Sequence, residues 1–496
     1  MAALYTDDDI DYKNTKLDSG VYPPTLATLP LPVMLLEISP DGENARLVPP
    51  DDNSPMPAQR GGFQKNNAPR QSNGGQLSVE ETIDTVGRTF MTLTNNLGPG
   101  FAETQLVSAD WLRMMNDQNS PDGRRSSEVL VNLTQLQIIH SCKEAMLKKN
   151  ISASKFTETS QWLNPYAGLS HNFFVSVSAV ALGNIDFSLK SVNEYMFQER
   201  IRFVDLGSTK GGFSEYILWR ASLGQKDARG WFFGSDTNFN VGSRLSYQCR
   251  AAERLDEFNP TRGSGGILNT ANIDAFINHV KRRNGGNGID LVVAEVDGIE
   301  PSDLGLGHEK IQYSYSIAQA IIALRLLRKG GSFVFKVHEL STKLSAEILF
   351  LIYACFERVA ILRSLASSPT GAERFIVCNH LVVDATRIAD HFYSALNKIN
   401  SGAFKLSHLV SWTKLSTEHS QFLATLHKFS GIVAPRQAQA LQAVASHIQQ
   451  GKFTRNSPTR RQSEVAIACF NNWQIPVMLS KNGLFIVNNN SNNNNK

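Results

Sequence analysis

Residues 204–216 read VDLGSTKGGFSEY, and they join an apolar run to a glycine-rich turn and then to a helix-like run. The apolar run covers residues 201–206 and the helix-like run covers residues 213–221. A strand, a glycine turn and a helix in this order are typical of a nucleotide-type cofactor site. Glycine lets the backbone approach a ligand closely, and the helix N-terminus offers free N–H groups to a carboxylate or phosphate. Turns of this composition are also common as structural features, so the rest of the chain has to support the interpretation.

The composition is that of an ordinary globular protein. Of the 496 residues, 42% are hydrophobic and 19% are charged, and the net charge of +4 permits a nucleic-acid partner without requiring one. The five cysteines contain no C-x-x-C pair, which argues against a disulfide framework or a zinc site. The N-terminus is acidic rather than signal-like, and the longest apolar run, near residues 348–356, is too short to span a bilayer. We therefore expect a soluble intracellular protein without membrane or metal, with the nucleus favoured over the cytoplasm.

The chain is predicted to have five segments. The first 70 residues hold ten of the 19 prolines, which predicts a largely disordered Pro/Asn-rich arm in which only residues 29–38 look able to dock. Near Ser78 a capping box and helical spacing up to Phe90 predict a helix, and a second helix is predicted over residues 128–149. The segments are the arm (1–76), an N-terminal helical segment (77–163), the main domain (164–385), a C-terminal helical appendage (386–480) and an Asn-rich tail (481–496). Within the appendage we expect helices at 388–399, 416–429 and 437–450 and a loop at 452–462.

The main domain alternates strands and helices, which predicts the α/β class. Alternation at this spacing indicates an open, mostly parallel sheet with helices on both faces and an antiparallel edge. The predicted strands are 201–206, 230–235, 290–294, 332–337, 359–363 and 374–378, and the predicted helices are 213–221, 273–283, 317–327 and 343–355.

Charged residues recur where the predicted strands meet one edge of the sheet. Parallel sheets bind ligands at the carboxyl ends of their strands, and Lys336 closes the strand that begins at Gly330-Gly331. This lysine is either a solvated strand end or a desolvated catalytic amine. Asp236 follows the second strand, where it either accepts hydrogen bonds from a ribose or caps a turn. Glu295 and Asp297 close the third strand, and Glu373 begins the last one.

Several of these motifs together resemble the FtsJ-type ribose 2′-O-methyltransferases. The similarity extends from Asn164-Pro165-Tyr166 to Trp473-Gln474-Ile475-Pro476, which is too long for a chance match to one motif. The segments that carry it are 211–220 (GGFSEYILWR), 293–298 (VAEVDG), 330–336 (GGSFVFK), 355–359 (CFERV), 373–378 (ERFIVC) and 435–438 (PRQA).

The resemblance implies methyl transfer from S-adenosylmethionine to a ribose 2′-hydroxyl. It implies a Rossmann-like sheet, and its capped-mRNA branch acts on the first transcribed nucleotide, so the 5′ end of capped RNA is the implied partner. Lys336 would be the central amine of a Lys-Asp-Lys-Glu tetrad, with Asp297 and Glu373 orienting and tuning it. Glu295 is the alternative to Asp297 as the tetrad acid. The implied cofactor-binding residues are Gly207, Ser208, Gly211, Gly212, Phe213, Asp236 and Asp297.

The sequence departs from the family pattern at positions that face ligands. Ala181 stands where the first tetrad lysine belongs, which removes a positive neighbour that would favour the neutral amine of Lys336. Thr209-Lys210 replaces the usual Gly-Pro of the cofactor loop, and Ser368 replaces an arginine. An acid expected near residues 265–267 is also missing. Such losses, with the framework kept, are what a catalytically retired domain shows.

Two hypotheses therefore stand side by side. The chain is an RNA cap methyltransferase with attenuated activity, or it is a pseudo-methyltransferase that binds capped RNA or a protein partner, for which the N-terminal arm is one candidate surface. A NAD-dependent dehydrogenase fits less well, because the full G-x-G-x-x-G fingerprint is missing and Lys336 and Glu373 would be unexplained. Candidate RNA contacts, each of which could equally be a solvated helix face, are residues 281–283, 325, 328–329 and 460–461.

Overall fold

The structure is a computed structural model that divides the chain into two units, Met1–Leu77 with Val477–Lys496 and Ser78–Pro476. It describes residues 35–38, 45–48, 90–97, 100–116, 133–148, 151–170, 174–189, 198–234, 254–261, 263–295, 308–402, 405–451 and 459–475.

The described part of the first unit is a short antiparallel hairpin. Strand β1 (Leu35–Ile38) pairs with strand β2 (Ala45–Val48), and Leu35 lies opposite Val48. Strand β1 is the end of the stretch 29–38 that was expected to dock. The predicted disorder of the rest of the arm and of the tail concerns residues outside the described ranges, so it stays a prediction.

The second unit contains the remaining elements. Its strands are β3 (Phe90–Thr94), β4 (Leu112–Asn116), β5 (Arg200–Leu206), β6 (Asp227–Phe233), β7 (Leu255–Phe258), β8 (Ile289–Ala294), β9 (Leu327–Val337), β10 (Phe356–Leu362), β11 (Arg374–Leu381) and β12 (Leu406–Val410). Its helices are α1 (Leu133–Lys148), α2 (Ala153–Leu163), α3 (Val177–Leu189), α4 (Gly212–Leu223), α5 (Thr270–Arg283), α6 (His308–Leu326), α7 (Lys343–Tyr353), α8 (Thr386–Asn400), α9 (Trp412–Glu418), α10 (Ser420–Gln449) and α11 (Arg460–Trp473).

Eight strands form one central sheet in the order β3-β10-β11-β9-β8-β5-β6-β7. The pairs from β7 through β6, β5 and β8 to β9 are parallel, whereas β11 pairs antiparallel with both β9 and β10. Helices flank the sheet, with α3 against α4 and with α6 against α5 and α8. The predicted α/β class, a Rossmann-like sheet with an antiparallel edge, is confirmed.

The core of the sheet includes two neighbouring inner strands, β8 and β5. Every residue of β8 is buried, and in β5 all four residues from Phe203 to Leu206 are buried, as expected for apolar strands covered on both faces. From β5 the chain moves outward to β6 and β7, and it then returns to place β8 on the other side of β5. The carboxyl ends of β5 and β8 therefore form the topological switch point, where open α/β sheets bind their ligands.

The region around Phe90 is a strand rather than the predicted helix. Strand β3 pairs antiparallel with β10, with Phe90 opposite Leu362, and it extends the sheet by one edge strand. Met91 and Leu93 are buried while Thr94 is exposed, so the apolar residues alternate with a period of two. Residues 78–89, which include the predicted capping box, lie outside the described ranges.

The appendage also differs from its predicted form. Strand β12, in a segment where only helices were expected, pairs with β4. The two helices predicted around Pro435 are one helix, α10, because packing of Ala434 and Ala438 against Ile139 and Phe156 holds the chain helical through the proline. The predicted loop ends earlier than expected, since Thr459 caps α11 in a capping box with Gln462.

Candidate active site

The candidate site lies at the switch point between β5 and β8. The two strands run in register there, with Leu206 opposite Ala294, and the Glu295 N–H donates to the Leu206 carbonyl over 3.2 Å. The glycine loop that follows β5 and the acidic segment that follows β8 therefore begin side by side. This adjacency is what the sequence predicted for the carboxyl edge of a parallel sheet.

A buried aspartate fixes the glycine loop from beneath. Asp205, which is fully buried, accepts hydrogen bonds from the amide and hydroxyl of Ser208, at 3.0 and 2.6 Å, and from the amide and hydroxyl of Ser214, at 3.0 and 2.7 Å. Burial raises the pKa of Asp205 to about 6, and the hydrogen bonds from the two serines oppose that rise. Asp205 thus ties the loop to the first turn of α4. The spacing of an acid and two serines at positions 205, 208 and 214 was visible in the sequence but was not interpreted.

Several amides of the loop are already hydrogen-bonded within the protein. The Gly211 N–H donates to the Ser208 carbonyl at 2.9 Å, and the Phe213 N–H donates to the Ser208 hydroxyl at 3.1 Å. The Thr209 N–H donates to Oε2 of Glu295 at 2.9 Å. The expectation that the N-terminus of α4 presents free N–H groups was therefore wrong for Phe213 and Ser214, because Asp205 and Ser208 cap them.

The glycines of the loop have conformational and packing roles. Gly207 and Gly211 have positive φ angles of 71° and 74°, which glycine adopts without steric cost. A Cβ atom on Gly212 would lie 2.2 Å from the Ser176 hydroxyl and 2.9 Å from the Ala179 nitrogen, so this glycine allows α4 to approach α3. The close contact explains Gly212 without a ligand. Whether these glycines also bind a cofactor, as predicted, stays a prediction.

Lys336 lies near two glutamates at the end of β9. Its side chain is mostly buried, and its Nζ atom lies 3.4 Å from Oε1 of Glu295 and 4.0 Å from Oε2 of Glu373. Glu373 is nearby because β11 runs antiparallel to β9, with Phe375 opposite Lys336. Two carboxylates around one ammonium group stabilise its positive charge in a poorly solvated place. The alternative that Lys336 is a solvated strand end does not fit this burial.

The loop between β10 and β11 holds Glu373 in position. The Ser367 hydroxyl donates to Oε1 of Glu373 at 2.5 Å. Arg363 donates through Nη2 to the carbonyls of Ser368 and Gly371, at 2.6 and 2.9 Å, and so braces the turn that precedes Glu373. Burial and the positive charge of Arg374 lower the pKa of Arg363 to about 10. Sequence reasoning missed Ser367 and Arg363, since neither lies in a motif that the family pattern singles out.

The remaining predicted site residues divide into those that the structure describes and those that it does not. Glu295, one of the two candidates for the tetrad acid, contacts Lys336. Asp297 and Asp236 lie outside the described residues, so their predicted roles stay predictions. Ala181 is buried in α3, whose thirteen residues include no lysine. Helix α3 therefore supplies no positive neighbour to Lys336.

The basic residues that were candidate RNA contacts lie elsewhere where the structure describes them. Arg328 pairs with Asp290 at 2.6 Å and Arg325 pairs with Asp390 at 2.9 Å. Arg325 lies in the last turn of α6 and Arg328 near the start of β9, at the amino edge of the parallel strands, while Lys336 lies at the carboxyl edge. Residues 281–283 end α5 at that same amino edge. The structure therefore does not bring residues 281–283, 325 or 328 to the candidate site.

The described part of the chain has neither a membrane-spanning helix nor a cluster of metal ligands. None of its helices combines the length and the apolar character that crossing a bilayer requires. Within the same residues, no group of three or more His, Cys, Asp or Glu side chains is arranged to hold a metal ion.

A sheet of this strand order, with a glycine loop, a lysine and two carboxylates at its carboxyl edge, is a Rossmann-like fold with a candidate site at the switch point. More particularly, residues 176–381 match the family model described as FtsJ-like methyltransferase. This part of the chain is therefore similar to the FtsJ-like methyltransferases, and the resemblance predicted from the motifs is confirmed.

Similarity to characterised proteins extends beyond this domain. The chain is 25% identical to the mouse protein named cap-specific mRNA (nucleoside-2′-O-)-methyltransferase 1, over 84% of this chain and 53% of that protein. It is 28% identical to the protein of the same name from Ailuropoda melanoleuca, over 63% of this chain and 38% of that protein. It is also 23% identical to a Caenorhabditis briggsae protein named inactive cap-specific mRNA (nucleoside-2′-O-)-methyltransferase 1B, over 71% of this chain and 45% of that protein. The chain spans about half or less of the length of these relatives.

Proposed function

We propose that this chain transfers a methyl group from S-adenosylmethionine to the ribose 2′-hydroxyl of the first transcribed nucleotide of capped RNA, at an attenuated rate. The observation that carries the proposal is the position of Lys336, whose ammonium lies between Glu295 and Glu373 at the switch point. The names of the relatives support capped RNA as the substrate.

The glycine loop and the carboxyl edge of the sheet fit such a cofactor, provided that one hydrogen bond of the loop can be exchanged. The left-handed Gly207 and Gly211 allow a close approach of the backbone, and the switch point is the usual ligand position of this fold. However, the Thr209 amide is bonded to Glu295, so a carboxylate-bearing ligand gains this amide only when Glu295 releases it. S-adenosylmethionine, when bound, supplies a methyl group on a sulfonium.

The residues of the chain would act on the ribose hydroxyl. The Lys336 ammonium can stabilise negative charge that develops on the hydroxyl oxygen, while a carboxylate oxygen of Glu295 or Glu373 can accept the proton. Ser367 and Arg363 keep Glu373 aimed at this point through the contacts described above. Because α3 supplies no second lysine that would favour a neutral amine, we assign the proton acceptor to a carboxylate rather than to Lys336. This is why we expect slow transfer.

The test is a methyl-transfer assay of the full chain with radiolabelled S-adenosylmethionine and short capped RNA. A second RNA whose first nucleotide already carries a 2′-O-methyl group identifies the acceptor position. We expect Lys336→Met to reduce transfer by about 100-fold or more, as for loss of a group acting in the transition state. The matched control is Lys329→Met, an exposed lysine at the opposite edge, which should change the rate less than about twofold.

A second function is favoured by a separate observation. Ala181 in α3 and the internal bonding of the loop amides are what a pseudo-methyltransferase that binds capped RNA would show. This alternative predicts that capped RNA binds with equal affinity to the unmodified chain and to Lys336→Met, without measurable transfer by either. Transfer that is abolished by Lys336→Met and blocked by a pre-methylated first nucleotide would reject it. Absence of transfer, with RNA binding retained, would reject the enzyme.

A further inference from the structure

The carboxylate of Glu295 makes two contacts, each to a different element of the structure. Its Oε2 atom accepts the Thr209 N–H at 2.9 Å, and its Oε1 atom lies 3.4 Å from Nζ of Lys336. The backbone of Glu295 is fixed independently, because its N–H is bonded to the Leu206 carbonyl. One side chain therefore connects the loop after β5 to the lysine at the end of β9.

This connection places a negative charge against an amide of the glycine loop. Loop amides and a lysine are the groups that hold a carboxylate ligand, and a hydrogen bond to a charged acceptor is stronger than one between neutral groups. The bonds of the Phe213 and Ser214 amides are buried, whereas Thr209 is exposed. Of these three contacts, the Thr209–Glu295 hydrogen bond is thus the one that a ligand can replace from solvent.

We propose that Glu295 is an internal carboxylate ligand of the glycine loop, and that it competes with the amino-acid carboxylate of the cofactor for the Thr209 amide. Glu295 thereby sets selectivity between ligands that carry this carboxylate and ligands that do not. The inference rests on the proposed function, since it assigns the competing ligand to the cofactor class proposed above. Glu295 would thus weaken cofactor binding, in addition to the loss of the first tetrad lysine at Ala181.

The test compares two ligands that differ in the amino-acid group that bears this carboxylate. S-adenosylhomocysteine carries the amino-acid group, whereas 5′-methylthioadenosine has the same nucleoside and thioether without it. Both are titrated by calorimetry into the full chain and into Glu295→Gln, which keeps the side-chain length and removes the charge. We expect Glu295→Gln to bind S-adenosylhomocysteine about tenfold more tightly, because the competing charge-assisted hydrogen bond is weakened, and to bind 5′-methylthioadenosine unchanged.

A control variant and a second readout separate competition from loss of structure. Glu357→Gln removes a carboxylate near the start of β10 that pairs with His380 at 3.1 Å, and it should leave both affinities unchanged. Hydrogen exchange of the segment 204–216 in the protein without ligand should become faster in Glu295→Ala, because the Thr209 amide loses its acceptor.

The outcomes distinguish the two proposals. Equal changes for both ligands, weaker binding of S-adenosylhomocysteine to Glu295→Gln, or unchanged exchange in Glu295→Ala would overturn the competition while leaving the proposed function standing. If neither ligand binds any variant, the proposed enzyme function fails, and the inference fails with it.

Discussion

Two carboxylates at the ends of neighbouring strands, Asp205 and Glu295, both accept amides of the glycine loop, but they do so in different surroundings. Asp205 is fully buried and receives four hydrogen bonds from two serines. Glu295 receives one amide from the exposed residue Thr209 and shares its other oxygen with Lys336. The first carboxylate is enclosed by its donors, whereas the second, whose side chain is 9% exposed, connects an exposed amide to Lys336. The removal of each carboxylate should therefore have a different effect on the folded chain.

The largest effect that this comparison predicts is on stability. Asp205→Ala removes the acceptor of four donors in a buried place, and each unsatisfied donor costs about 1–3 kcal/mol. We expect a loss of at least about 4 kcal/mol in the free energy of unfolding, measured by urea denaturation. Glu295→Ala leaves the exposed Thr209 amide to water and leaves Glu373 near Lys336, so its loss should stay below about 2 kcal/mol. Equal losses in the two variants would contradict the distinction.

The stability of the chain should also depend on pH through the buried carboxyl groups of Asp205 and Glu215. Burial raises the pKa of Asp205 to about 6 and that of Glu215, in the first turn of α4, to about 7, from ordinary values of 3.8 and 4.5. A folded carboxyl with a raised pKa binds its proton more tightly than the unfolded one. The contribution of these groups to stability is therefore fully present at low pH, and it is lost as the pH rises from about 4 to about 7.

Glu215→Gln tests this dependence. Glutamine can still accept the Val175 N–H, which donates to Glu215 at 2.6 Å, but it does not titrate. Between pH 4.5 and 7 the unmodified chain should lose about 3 kcal/mol through Glu215, and the variant should not. The measurement is the difference in unfolding free energy between the two chains at pH 5 and at pH 7.5. A difference that is the same at both pH values would show that Glu215 does not titrate in this range.

Much of the fold could be predicted because its decisive signals are local. The strand, glycine turn and helix from β5 to α4 lie within one short stretch, and Lys336 ends an apolar strand, so both could be assigned to the same sheet edge. Strand β3 could not, because Phe90 pairs with Leu362, far along the chain. An isolated sequence pattern does not show such a pairing. The helical spacing of three apolar residues up to Phe90 therefore predicted a helix where the structure has a strand.

The site was predictable in its residue types but not in its contacts. Glu295 and Asp297 are two positions apart on one segment, and the family pattern does not decide which of them reaches Lys336. The contact of Glu295 with Lys336 and Thr209 depends on the register of β5 against β8, which places Leu206 opposite Ala294. Register follows from the packing of the whole sheet rather than from the residues at the site.

The smallest predicted effect concerns the backbone of the glycine loop, which both Asp205 and Glu295 contact. Lys210 has a φ angle of 53°, a left-handed conformation that costs an ordinary residue about 1 kcal/mol relative to glycine. Lys210→Gly should therefore raise the free energy of unfolding by up to about 1 kcal/mol in urea denaturation. Gln225, which is exposed at the end of α4 with a φ angle of 54°, provides the matched control, and Gln225→Gly should give a similar gain. A loss of stability in Lys210→Gly, with a gain in Gln225→Gly, would show that the lysine side chain stabilises the loop. Lys210 would then join Asp205 among the residues that hold the loop in place.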